Sequence, residues 1–374
     1  MRIRNTCFGD DVTNKEKSLK DYFPMLRCRD ELLEEISNTW EYKSTFIKWT
    51  EAQQNEFLDI CTGLKGPRMT YDVFFKESVN PEYAPERLGD FLSNVLGQKV
   101  KVLKPLPNDS VRITLENTLL ITDIVVELED GRILNLEMQK LGYKFPGERA
   151  ACYIADLLLR QYKRVRGSNK EADYRDVKPV YLIVIFENSP KEFKSFAKEF
   201  EKALAEGCDE AGVADDCTLK DVKQTYFHHI TPISDTGIEL NLLYNFYFIS
   251  LDIYDTKMQN KAVGSKLEAW LRFFASDRPE DIIELIDAYP EFKPMYEDVY
   301  KLCADTWGVM SMFSEELYEL DRNTMKLMVD EMQDEIDDLK ENVDILKESN
   351  DNLQKTNDEL LVELKAYKEK FGNL

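Results

Sequence analysis

Two runs rich in Ile, Val and Leu, residues 119–128 and 132–139, flank Glu129-Asp130-Gly131. No other feature constrains the fold of this chain as tightly. The three intervening residues have the chemistry of a three-residue hairpin loop, with the glycine in the left-handed position. That loop makes paired residue numbers sum to 260 and sets Asp123 directly opposite Glu137. Thr122, Ile124 and Val126 then share a core-facing side with Leu134, Leu136 and Met138. Asp123, Glu137 and Gln139 share the other. A two-residue turn would oppose Asp123 to Met138 and mix the faces.

Like charges directly opposed on a sheet repel. Solvent, a raised pKa or a cation must relieve them. Hard divalent ions such as Mg²⁺ favour one or two carboxylates with water in the remaining positions. The competing reading is an exposed sheet face carrying ordinary surface charges.

Several segments around the hairpin combine into a larger pattern. They are Tyr71-Asp-Val-Phe-Phe-Lys76, Arg87-Leu-Gly-Asp-Phe-Leu-Ser-Asn-Val-Leu96, Thr122-Asp-Ile-Val-Val126, Leu134-Asn-Leu-Glu-Met-Gln139, Glu148-Arg-Ala-Ala-Cys-Tyr153 and Val180-Tyr-Leu-Ile-Val-Ile-Phe186. Their order and spacing resemble the PD-(D/E)xK nuclease superfamily, and within it the nuclease family transposases, or recombination-promoting nucleases. The resemblance covers about residues 69–187 and continues more loosely to about 310. It implies an α/β (α+β), restriction-endonuclease-like core with a mixed central sheet flanked by helices. It also implies metal binding by Asp123 and Glu137, with the Met138 carbonyl as a further ligand, and Mg²⁺ or Mn²⁺ as the ion. Gln139 takes the position where the superfamily usually has Lys. A neutral amide can orient the attacking water but supplies no positive charge, which bears on catalytic rate. Arg149 and Tyr153 match the family's Arg-x-x-x-Tyr pattern. Lys76 and Glu77 are additions from the first helix, and Lys76 and Tyr153 are expected to join Arg160, Lys163, Arg164 and Arg166 in contacting DNA. Lys140 should point to the opposite face of its strand.

A helix over about 147–166 packs through Ala150, Ile154, Leu157, Leu158, Gln161 and Val165. Arg149, Tyr153, Asp156, Arg160 and Lys163 form a second stripe. Arg160, Lys163, Arg164, Arg166 and Lys170 make the densest basic cluster. It reads as a phosphate-contact surface beside the metal site, or as a solvated helix end whose cations suit the dipole.

The net charge of −22 is unevenly spread. Residues 1–71 and 72–187 each lie one charge from neutral, whereas 188–314 and 315–374 each carry ten excess acidic groups. Acidity therefore does not exclude DNA, but it demands positive charge concentrated on one surface. Seven cysteines without a C-x-x-C pair suit reduced thiols. The absence of an apolar leader or a membrane-length apolar run suggests a cytoplasmic protein with no membrane partner. No G-x-x-x-x-G-K-[ST], no G-x-G-x-x-G in a strand–helix setting, no G-x-S-x-G and no H-E-x-x-H is present, so nucleotide hydrolysis, dinucleotide redox chemistry and zinc proteolysis gain no support.

The expected organisation is a helical extension over 1–68, with Leu32, Leu33, Ile36, Trp40, Phe46 and Trp49 as its apolar stripe and 63–67 as linker. The nuclease-like core follows over 69–187, an α/β-to-helical part over 188–313, and a coiled coil over 314–374. In 188–313 helices are expected at about 190–206 and 264–312 and a strand at about 240–253. His228 and His229, adjacent on a strand, should face opposite ways. In the tail the a/d pairs Val329/Met332, Ile336/Leu339, Val343/Leu346, Asn350/Leu353, Asn357/Leu360 and Leu364/Tyr367, then Phe371, favour a parallel homodimer over 329–371. A single amphipathic helix packed on its own domain is the alternative. Glu335 with Lys340 and Glu363 with Lys368 stand at spacing for pairing between chains. Two functions remain open. One is a dimeric Mg²⁺-dependent DNA endonuclease, a transposase-like phosphodiester hydrolase. The other is a nuclease-derived scaffold that has lost catalysis.

Overall fold

The computed structural model describes residues 17–106, 123–142, 147–168, 171, 173–207, 222–232, 234–238, 240–259, 261–315 and 317–318, with parts of the tail between 343 and 372. Contacts divide the chain into two compact units, 1–313 and 314–374. Thr122, Lys170 and tail residues 329–342, including Glu335 and Lys340, lie outside the described residues, as does Glu363.

Six helices come first: α1 (Leu19–Tyr22), α2 (Arg29–Asn38), α3 (Trp40–Phe46), α4 (Glu51–Thr62), α5 (Asp72–Ser78) and α6 (Pro85–Leu96). Strands β1 (Val102–Pro105), β2 (Ile124–Leu128) and β3 (Ile133–Leu141) follow, then α7 (Gly147–Ser168), β4 (Val180–Asn188), α8 (Lys191–Gly207), β5 (Phe227–Ile230) and β6 (Tyr244–Ser250). The strands form one mixed sheet of order β1-β2-β3-β4-β6-β5. β3, β4 and β6 run parallel; the outer pairs are antiparallel.

The β2–β3 register is the expected one: Ile124 opposes Leu136, Val125 opposes Asn135 and Val126 opposes Leu134. Gly131 has φ +86° and its N–H bonds the Leu128 carbonyl at 2.9 Å, as the three-residue loop requires. One expectation about this sheet is corrected. The face carrying the carboxylates is not a solvated one. Val125, Ile133, Val180, Leu182, Val184 and Phe186 on that face pack against Ala150, Tyr153, Ile154 and Leu157 of α7. Central strands that pair in parallel bury both faces, so β4 is buried along nearly all of its length and β3 over its first five residues.

The N-terminal helices do not stand apart as an extension. Lys17 pairs with Asp287 at 2.7 Å, Arg27 bonds Thr306, the Phe23 ring packs at a tilt against Tyr300, and Trp49 meets Phe313. The expected linker at 63–67 is packed too: Gly66 N–H bonds the Asp277 carbonyl at 2.6 Å and Lys65 pairs with Asp277. Trp40 leaves the expected apolar stripe and is 76% exposed, because Thr39 breaks the helix and α3 starts in a new phase.

The sheet also crosses the expected boundary at 187, since β5 and β6 complete it. Backbone that was expected to stay extended to 253 turns helical at Leu251, and the region after it divides into Lys266–Ala275, Pro279–Ala288 and Lys293–Leu302. His228 lies against Phe193 and Phe196, while His229 stacks on Tyr247, so the two face opposite ways. No helix among the described residues is long and apolar enough to cross a membrane.

Candidate active site

At the open end of the hairpin the register brings Asp123 and Glu137 together. Asp123 immediately precedes β2, and its Oδ2 accepts a 2.7 Å bond from the Met138 N–H. Glu137 Oε1 accepts from the Asp123 N–H at 3.3 Å and from Asn135 Nδ2 at 2.7 Å. Gln139 Nε2 donates to Glu137 Oε2 at 3.3 Å. Period-two geometry puts Asn135, Glu137 and Gln139 on one side of β3. Asn135 was not singled out from sequence, although that same periodicity marks it. It is fully buried, and its carbonyl oxygen has no hydrogen-bond partner. Leaving such an atom unpaired costs about 1–3 kcal/mol, which is tolerated here while its amide holds Glu137.

Both carboxyl groups sit above the ordinary range. For Asp123 burial is the main cause; the Met138 N–H and the charges of Lys76 and Arg149 offset it only in part. For Glu137, burial and then the charge of Asp123 push in the same direction, against the Asn135 bond. Two desolvated, mutually repelling acids are a donor set that a hard divalent ion suits. Among the described residues no third His, Cys, Asp or Glu completes a metal-binding cluster. The Met138 carbonyl and water would therefore fill the other positions. Asp123 opens, with Lys76, Asn80, Pro105 and Leu106, onto a cleft of about 490 Å³.

Three groups surround the pair. Arg149 on α7 is half-buried, receives its orientation from the Tyr153 hydroxyl (Nη2 to Oη, 2.8 Å), and acts on both acids. Lys76 on α5 acts on both as well. Asp72, one turn before Lys76, pairs with it at 2.8 Å and raises the Asp123 carboxyl further. The i,i+4 spacing of Asp72 and Lys76 is the sequence signal that marks that acid.

The proposed nucleic-acid contacts are not brought together. Tyr153, expected at that surface, is 1% exposed and belongs to the core beneath α7. Arg160 pairs with Asp156 at 2.7 Å, and Arg164 with Glu127 at 2.5 Å. Lys163 and Arg166 are exposed, but they are not beside the acids. α7 runs back along the hairpin, and Gln161 Nε2 reaches the Gly131 carbonyl at the turn. Lys163 therefore stands roughly 21 Å along the helix from Arg149, at 1.5 Å per residue. Lys140 faces away as expected, with Nζ 5.3 Å from the Tyr71 ring centre.

No curated protein and no solved structure matches the chain. A family model does: the stretch 69–205, which holds both acids, Gln139 and Arg149, matches the PD-(D/E)XK nuclease family transposase and carries a domain of that family.

Proposed function

We propose that the protein is a Mg²⁺- or Mn²⁺-dependent DNA endonuclease, a transposase-like phosphodiester hydrolase that works as a dimer. The family domain is nuclease-like. The observation that carries the finer reading is the meeting of Asp123 and Glu137 on one sheet face, both desolvated. These two side chains, with the Met138 carbonyl, would hold the ion. When bound, it polarises the phosphate and lowers the pKa of water. Gln139 has both donor and acceptor atoms; it bonds Glu137 through its N–H and orients a water through its carbonyl. Arg149, aimed by Tyr153, offsets charge on a phosphate oxygen.

Dimerisation belongs to this reading through the tail. Leu346, Leu353 and Leu360, all at d positions, are 58–67% exposed in the single chain. Burying such a row against a second copy is the ordinary solution for heptads. Two sites would then serve the two strands of a duplex. Sedimentation of the full chain against one ending near residue 314 tests this: the shorter chain should be monomeric.

The scaffold reading keeps one specific support, the neutral Gln139. Plasmid cleavage separates the two. Wild type should nick in Mg²⁺ or Mn²⁺, and Asp123→Ala and Glu137→Ala should each lose at least about 10³-fold, several kcal/mol of transition-state stabilisation. Intact plasmid with the wild type at low salt favours the scaffold.

A further inference from the structure

Phosphodiester hydrolysis loads negative charge onto the non-bridging oxygens. A divalent ion held by Asp123 and Glu137 is left with no net charge to offset it, and Gln139 contributes none. Further positive charge must come from elsewhere in the chain. Lys140 is turned to the opposite face, toward Tyr71. Arg149 acts from the α7 side, where the Tyr153 hydroxyl and ring hold it. Lys76 approaches from α5 and lines the same cleft as Asp123.

The Lys76 side chain is 44% exposed, and its partner is Asp72 four residues earlier. Exposed pairs at that spacing are weak, so the ammonium can leave Asp72 for a phosphate. Burial works against its charge and the Asp72 bond supports it. At neutral pH it is a charge donor and not a base.

Resting on the nuclease reading above, the geometry points to Lys76 as a catalytic residue whose ammonium meets the scissile phosphate beside Asp123 and supplies the charge that Gln139 lacks. From sequence Lys76 is expected only as a general DNA contact; the shared cleft moves it to the reacting phosphate.

The test is single-turnover plasmid cleavage in Mg²⁺ by the full chain at saturating protein, comparing wild type, K76A, K76R and K76A/Q139K. DNA affinity in Ca²⁺ and Mn²⁺ affinity are measured on the same proteins. K76A should slow cleavage about 10²–10³-fold, the size of losing one transition-state donor, with Mn²⁺ binding no weaker. K76R should keep most of the rate. K76A/Q139K should regain at least about tenfold over K76A, because the charge returns from the neighbouring strand position. Cleavage by K76A at the wild-type rate overturns the proposal while leaving the nuclease reading intact. A K76A defect confined to DNA affinity, with the saturated rate unchanged, overturns it too. A wild type inactive in both Mg²⁺ and Mn²⁺ removes the nuclease reading and this proposal together.

Discussion

The two ends of the β2–β3 hairpin treat their carboxylates in opposite ways. At the turn, Glu127 meets Arg164 at 2.5 Å and Lys104 at 3.4 Å, and Asp130 meets Arg132 at 2.7 Å. Burial works to raise both acids, but the bonds and charges of those cations prevail and hold both below the ordinary range. At the open end, Asp123 and Glu137 face each other, and both are held above it. The turn end ties α7 to the sheet. At the open end burial prevails over the charges of Lys76 and Arg149, an environment that a bound cation would relieve.

Glu137→Gln gives the largest break of that contrast. Its raised pKa means that the folded apo-protein keeps a proton that the unfolded chain releases. Stability therefore falls as pH rises from the ordinary carboxylate range through the raised value. The amide removes this penalty. Chemical denaturation should show Glu137→Gln more stable than wild type by about 1–3 kcal/mol at pH 8 and equal near pH 4, while cleavage is lost.

Arg164→Ala should do the reverse. It leaves Glu127 without its closest cation and should cost about 1–2 kcal/mol, held down because Arg164 is about a third exposed and water screens it. Glu127 has a lowered pKa, so that loss should be full above the ordinary carboxylate range and fade as pH falls below it. Cleavage per folded molecule should stay within about twofold of wild type, since the pair is not at the reacting end. A smaller effect is expected at the turn itself. Gly131→Ala forces a side chain into φ +86° and should cost about 1 kcal/mol. Smallest are Lys163→Ala and Arg166→Ala. Each should at most reduce the salt slope of DNA binding by about 1 and leave the single-turnover rate unchanged; a slowed chemical step would place them nearer the acids than the helix allows.

The hairpin was legible because loop length, a glycine with φ > 0 and a period of two fix one register. The burial of both sheet faces was not, because it follows from β4 and β6 pairing in parallel with β3, a contact that alternation within one hairpin does not encode. The placement of the basic stripe was not legible for a related reason. Helical spacing groups Arg160, Lys163 and Arg164, but only the distant contact of Gln161 with Gly131 fixes which end of the hairpin they approach. Lys76 and Asp72 meet the acids through α5, far away in sequence. Trp40 left its stripe because Thr39 reset the helix phase. The signals that survived were local; those that failed depended on which elements pack together.

Asp123 and Glu137 together are proposed to bind one divalent ion. Calorimetric titration of the full chain with Mn²⁺ at pH 8, on wild type, Asp123→Asn and Glu137→Gln, tests it most directly. One site per chain is predicted for the wild type, weakening as pH falls because protons compete for Glu137, and lost in both variants. Equal Mn²⁺ binding by all three proteins would contradict the account.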